Sequence, residues 1–477
     1  MNANCVAAAL RDVSLRRWLA GLILCGVLAA GGAWPDAAAA QKTAEGPPSP
    51  PVGQAGQPEA HPAAACPPQL PNEHSLKACA TEPAPTPLAA LIEEAVQNDP
   101  AILAAEDAVH AAAQLPAQAG ALPDPHFTVQ QFAVGSPRPF AGYTNSDFAY
   151  FGLGASQEFP YPGKRGLRSA VAERETEVQR QSAQIVRREE IEKLKEAYYR
   201  LAYLQQLLAI HHQHDALVQQ IAAAAEIRYR AGQGNQQDIL RAQLEHTRVL
   251  RDLSLVDQEA GEAQAELKRI LHRPQDSPDV VTGPLALTGL SVPLETLLAR
   301  AREENPEVRE RAELVHKGQA EVELARREFR PDFGLSYMWQ RTDPTNFRAY
   351  YMLTFDVNFP RRKPRQAALA AAEINTERAR REQEAQAQAA LAEVKKQIVD
   401  VQASDEQARI YREGLIPQAQ AAYQAGMAAY ESGREDFQAL LSSAMDVLNL
   451  DLEYQQTLLA HQLGIARIER LTGTVEP

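Results

Sequence analysis

The densest group of metal-ligating side chains is His211, His212, His214 and Asp215. On a helix His211 and Asp215 stand one turn apart on the same face, a workable pair for a transition-metal cation. The same residues also read as a polar layer on a helix face. A second candidate pair, Glu435 and Asp436, follows Gly433. Carboxylates there complement the positive end of a starting helix. Cys66 and Cys79 lie close enough in sequence to pair in an oxidising compartment, but beyond Ala80 there is no cysteine. Zinc-finger and iron–sulfur chemistry are thereby excluded from most of the chain. No GxxxxGK[ST] run, Gly-rich dinucleotide turn or catalytic triad is present, so neither an enzyme nor a cofactor is expected.

What holds these residues is mostly helix. The 477 residues are 45% hydrophobic and only 6% aromatic, and the later two thirds are dense in Ala, Gln, Glu, Arg and Leu. That composition suits long helices meeting along narrow seams. A net charge of -13 argues against nucleic-acid binding, which needs basic surface. A mean hydropathy of -0.36 leaves no room for a polytopic helical membrane protein, whereas a transmembrane β-barrel hardly registers on such a scale. At the amino end, Arg11, Arg16 and Arg17 precede the apolar Leu19–Ala33 and the small-residue run Ala37–Ala40. Residues 1–40 therefore read as an export signal. Cys25 follows Leu24 rather than a small residue, which favours an ordinary signal-peptide cysteine over a lipidation site. Residues 41–86 form a Pro-rich tether: 13 of the 32 prolines fall between Trp34 and Pro87.

The remainder is one unit written twice, residues 87–275 and 293–473, joined by a linker at 276–292 and followed by a short tail at 474–477. Asn98-Asp99-Pro100 returns as Glu304-Asn305-Pro306, Glu158-Phe159-Pro160 as Asn358-Phe359-Pro360, and Tyr229-Arg230-Ala231-Gly232 as Tyr430-Glu431-Ser432-Gly433. The offset stays near 200 residues, the mark of a tandem duplication. Each copy predicts helix, two strands, a very long helix, a turn and a further helix. The strands fall at about 126–134, 147–159, 332–340 and 350–359. In the last of them Tyr351, Leu353, Phe355, Val357 and Phe359 alternate with Met352, Thr354, Asp356 and Asn358. An apolar face of this length suits a tilted membrane strand, with a small soluble sheet packed on helices as the alternative. Val171, Val178 and Ile185, then Leu194, Tyr198, Leu201 and Leu208, mark a coiled-coil seam in the first long helix. Val394, Ile398, Val401 and Ala408 mark the second. The shorter helices are expected at about Leu88–Gly120, Asn235–Leu271, Pro293–Phe329 and Glu435–Leu471, each half the length of a long one. Pro417 is expected to bend the second long helix.

This layout resembles the TolC family of outer membrane efflux proteins. So do Phe159-Pro160-Tyr161-Pro162-Gly163-Lys164-Arg165, Leu415-Ile416-Pro417-Gln418-Ala419, and Tyr430-x-x-Gly433 with Leu440-Leu441. The resemblance covers about Pro87 to Gly473. It implies a mainly α fold with a transmembrane β-barrel portion: a homotrimer pooling four strands per chain into 12, on an α-helical coiled-coil periplasmic tunnel. It also implies a periplasmic adaptor (membrane fusion) protein and an inner-membrane pump, of the RND type, as partners, and lipid around the barrel. The turns carrying Tyr229, Gly232 and Asp238, and Tyr430, Gly433, Arg434, Glu435 and Asp436, would then form the gate and adaptor dock. Arg434 stands one residue early for the family's arginine. The family's constriction aspartates fall on Ala439 and Ser442, so an acidic ring would have to come from Glu435 and Asp436. The Phe159–Arg165 junction looks most similar to ducts of heavy-metal exporters. Type I protein secretion is the neighbouring reading, and a periplasmic coiled-coil scaffold without a barrel is the competing one.

Overall fold

The computed structural model describes residues 85–132, 150–290, 292–342 and 348–473. The export signal, Cys25, Cys66, Cys79, the tether up to residue 84, the strand ends at 133–134 and 147–149, and the tail at 474–477 lie outside the described residues.

Three short helices open the described chain: α1 (Leu88–Asn98), α2 (Pro100–Ala112) and α3 (Leu115–Ala119). Strands β1 (His126–Phe132) and β2 (Tyr150–Phe159) follow, then α4 (Lys164–Arg230) and α5 (Gln236–Ile270). The second copy runs α6 (Leu294–Glu303), α7 (Pro306–Arg327), β3 (Asp332–Thr342), β4 (Ala349–Asn358), α8 (Arg362–Ile410), α9 (Ile416–Glu431) and α10 (Phe437–Thr472). The expected single helices at Leu88–Gly120 and Pro293–Phe329 are each broken, and the reason is local. Asp99 and Asn305 sit extended before a proline, their side chains accepting from Ala101 N at 2.7 Å and from Glu307 N at 2.9 Å. A residue before proline is driven out of the helical region, and the Asx side chain then caps a new helix.

α4 alone is 67 residues, roughly 100 Å at 1.5 Å per residue. Its counterpart is α8 and α9 joined by a five-residue π turn, Tyr411–Leu415. Of the predicted seams, Val178, Leu194, Tyr198 and Leu201 are buried in the first and Val394, Ile398, Val401 and Ala408 in the second, while Val171, Ile185 and Leu208 are half-buried. The duplication extends into the core. Leu91, Ala95, Leu194, Leu201, Leu267 and Ile270 pack together in one cluster. Leu297, Ala301, Val394, Val401, Ile468 and Leu471 pack in another, each about 200 residues further on.

The four strands form one antiparallel sheet in the order β1-β2-β3-β4. Direct partners share a face, so the register decides what each face carries. Phe127 pairs with Ala155, Val129 with Leu153, Leu153 with Trp339, and Ala155 with Tyr337. Leu335 pairs with Phe355, Tyr337 with Leu353, and Trp339 with Tyr351. One face is thus a continuous apolar field, and in the single chain Phe127 is 80% and Leu353 71% exposed. The other face carries the small and polar Gly152, Gly154, Ser156, Ser336, Thr354 and Asp356, with the Met338–Met352 pair among them. A Cβ on Gly154 would stand 2.8 Å from the Met338 Cε.

The sheet meets the helices through a buried cation. Lys164, fully enclosed, donates to Arg330 O at 2.9 Å and lies 3.3 Å from Glu328 and 3.0 Å from Asp332. Asp332 Oδ1 also accepts from Tyr161 N at 2.8 Å. The first copy's Phe159–Arg165 junction is thereby tied to the second copy's Arg330-Pro331-Asp332. No described helix is long and apolar enough to cross a membrane.

Candidate functional site at the two hairpin tips

The tip sequences make two turns of the same design. In the first, Gly232 N donates to Tyr229 O at 2.9 Å and Gln233 N to Arg228 O at 2.9 Å; in the second, Gly433 N donates to Tyr430 O at 3.0 Å and Arg434 N to Ala429 O at 2.9 Å. These are the paired bonds of a helix ended by a left-handed residue, and Gly232 and Gly433 supply it at φ 72° and 75°. The outgoing helices are capped by Asn235, which accepts from Gln237 N at 3.2 Å, and by Asp436, which accepts from Ala439 N at 2.7 Å. Backbone bonds at a left-handed glycine and one side-chain cap therefore reverse the chain in each copy.

Side chains then make the two tips unequal. Tyr229 is half exposed, whereas its counterpart Tyr430 is 1% exposed. The Arg228 guanidinium lies 4.4 Å from the Tyr430 ring centroid. It donates to Tyr430 O at 2.8 Å and to Gln233 O at 3.2 Å, so one cation grips both hairpins. Phe437 packs against the Tyr430 ring in an edge-to-face arrangement, the centroids 5.9 Å apart. Beneath them Ile221, Ala225, Ala242, Tyr423, Leu440 and Ala444 form a shared core. Arg241 adds a second cross-hairpin bond, to Gln438 Oε1 at 3.0 Å. The Tyr430 phenol is pushed up by burial first and by the Asp238 carboxylate second. Its hydroxyl has no partner among the described residues.

Arg434 is exposed and donates to Ser432 Oγ at 3.1 Å. Asp436 is engaged as the helix cap, the dipole role its position suggested. Glu435 folds back beside Gly426, where a Cβ would stand 3.5 Å from its Oε2. His211, His214 and Asp215 do not form one ligand set. Asp215 instead accepts from His246 Nδ1 at 2.6 Å and from Gln219 Nε2 at 2.7 Å, and no cluster of three or more His, Cys, Asp or Glu suited to a metal exists among the described residues. His211 and His214 are buried, and burial pushes both imidazoles below the ordinary value. They form an interior layer of α4 rather than a surface one.

Sequence reading missed Arg228 and Phe437. Phe437 was readable, as the first residue of an apolar helix face. Arg228 was not, because its counterpart is Ala429 and its partner is a carbonyl on a helix some 200 residues away.

A family model described as outer membrane efflux protein matches residues 91–272 and again 297–474. Among curated proteins none matches the sequence significantly. The fold is similar to the outer-membrane channel OprN, at 18% identity and a TM-score of 0.68 over 81% of this chain and 89% of that one. It is also similar to CusC, solved in a study of folding and transmembrane channel formation, at 17% identity and a TM-score of 0.68 over 82% and 92%. VceC, an outer membrane protein from Vibrio cholerae, matches at 18% identity and a TM-score of 0.66 over 82% and 97%.

Proposed function

This chain belongs to the outer membrane efflux protein family, and from that premise we propose that three copies build the passive exit duct of a tripartite efflux system. As a member, the protein sits in the outer membrane with its helices in the periplasm. The observation that carries the proposal is the sheet. Its apolar face is continuous across all four strands, while β1 and β4 each have one side unpaired among the described residues. Backbone groups left open in hydrocarbon cost several kcal/mol each, so only a closed ring is tolerated. Three sheets of four close one. A soluble scaffold would instead have to cover that field.

Conduction needs no bond-making group, and an adaptor with an inner-membrane pump, of the RND type, would supply the energy. The tip is the proposed gate, since Arg228 and Tyr430 lock the two hairpins against each other there. Heavy-metal cations are the proposed cargo, on the strength of the Phe159–Arg165 junction. A strain lacking the gene is expected to lose tolerance to zinc, copper or cobalt. Unchanged metal tolerance beside lost tolerance to organic drugs would reassign the cargo and leave the duct standing. A chain recovered as a soluble monomer without detergent would overturn the duct itself.

A further inference from the structure

A cavity of about 270 Å³ opens between α4, α9 and α10, centred about four helical turns from the tip. It lies near the lower limit of small-molecule sites, about 300–1,000 Å³. Leu217, Val447 and Leu448 give it an apolar wall, and His214, Tyr423 and Asp451 give it a polar one, with the exposed amides of Gln213, Gln420 and Gln424 beside them. His214 is 2% and Tyr423 8% exposed. Yet both ring nitrogens of His214 and the Tyr423 hydroxyl have no partner among the described residues. A buried polar group without a partner costs about 1–3 kcal/mol, so three such atoms on two residues that line one hollow point to an occupant. No lysine or arginine lines the cavity. Burial alone pushes the Asp451 carboxyl up, and burial keeps His214 neutral at pH 7. The acceptor nitrogen of the neutral imidazole, the phenol oxygen and the carboxylate can then take the three N–H donors of one ammonium group, and the neighbouring glutamine amides add no charge that would compete.

We propose that this cavity binds a small primary ammonium compound with an apolar body, its N–H groups donating to His214, Tyr423 and Asp451. The site lies within one chain and does not depend on what the duct exports. Tyr423 and Val447 also belong to the core under the tip, so the occupant would brace the elements that hold Tyr430.

The test is calorimetric titration of the purified, nanodisc-embedded protein with 4-phenylbutylammonium and, separately, with the neutral 4-phenylbutanol. Saturable binding at one per chain is expected, with the amine at least about tenfold tighter. Asp451→Asn should weaken the amine about ten- to a hundredfold, the worth of a hydrogen bond to a charged group, and leave the alcohol unchanged. Should Asp451→Asn fail to assemble, Tyr423→Phe, which removes only the unpartnered hydroxyl, must still weaken the amine. No saturable binding, equal affinity for the two probes, or an affinity untouched by these substitutions would overturn the assignment.

Discussion

Tyr430 and Tyr229 occupy equivalent places in the two copies, and Tyr430 is set apart by Arg228 over its ring and Phe437 against it. Arg228 reaches the Tyr430 ring and the carbonyl behind it, and both contacts are partly sheltered from water. Arg228→Ala is expected to loosen the tip by about 1–2 kcal/mol and to raise single-channel conductance in planar bilayers. Arg228→Lys should recover only part of the effect, since a point charge replaces a fork. Conductance unchanged in both variants would remove Arg228 from the gate. His214 is buried neutral with its titration depressed below the ordinary 6.5, so below pH 6.5 the unfolded chain takes up the proton more readily than the folded one. Stability is therefore complete above that pH and falls as the medium is acidified through the folded value. His214→Gln should flatten that part of the thermal-stability profile, while an equally steep loss in the variant would assign it elsewhere.

At the scale of elements, the buried positions Val394, Val401 and Ala408 recur every seven residues, and so do Tyr423 and Tyr430. Between Ala408 and Tyr423 lie two heptads plus one residue. The π turn Tyr411–Leu415 absorbs that residue, since a π turn adds one residue without advancing the face. Pro417, which cannot donate to the carbonyl four residues back, holds the turn in place. Deleting Gly414, around which a Cβ would meet nothing within 4 Å, together with Pro417→Ala should give an unbroken helix with its seam in register. The melting temperature should then match that of the parent within a few degrees. Deleting Ala387 instead would rotate everything after it off the seam and should prevent assembly. Equal behaviour of the two deletions would refute the register argument. This also marks the limit of what the sequence discloses. The seams, the strand alternation and the doubled turns were legible because each is a local periodicity or a backbone requirement. Pro417 signalled a bend but not the added residue, which shows only when the phases on either side are compared. The breaks at Asp99 and Asn305 were written in Asp-Pro and Asn-Pro, and read as echoes rather than as caps. Asp215 turning to His246 belongs to packing between helices, where single-chain periodicity carries no information.

At the scale of the whole molecule, the two faces of the sheet must meet different solvents, and adjacent residues of β4 separate them. Leu353 lies in the apolar field opposite Tyr337, while Thr354 lies on the other face opposite Ser336. A charge midway along a lipid-facing strand costs about 2–4 kcal/mol per chain, and a closed ring of three would bear it three times. Leu353→Arg is therefore expected to abolish the heat-modifiable oligomer on gels and to shift the chain from the outer-membrane fraction to degradation products. Thr354→Arg puts the same side chain one residue along, on the face that the proposed ring turns to water, and should assemble normally with altered ion selectivity. The comparison controls for strand propensity, since both positions lie in the same strand and gain the same residue. Two variants that assemble equally well would mean that the apolar face does not meet lipid, and the edges of β1 and β4 would then need another cover than a neighbouring copy.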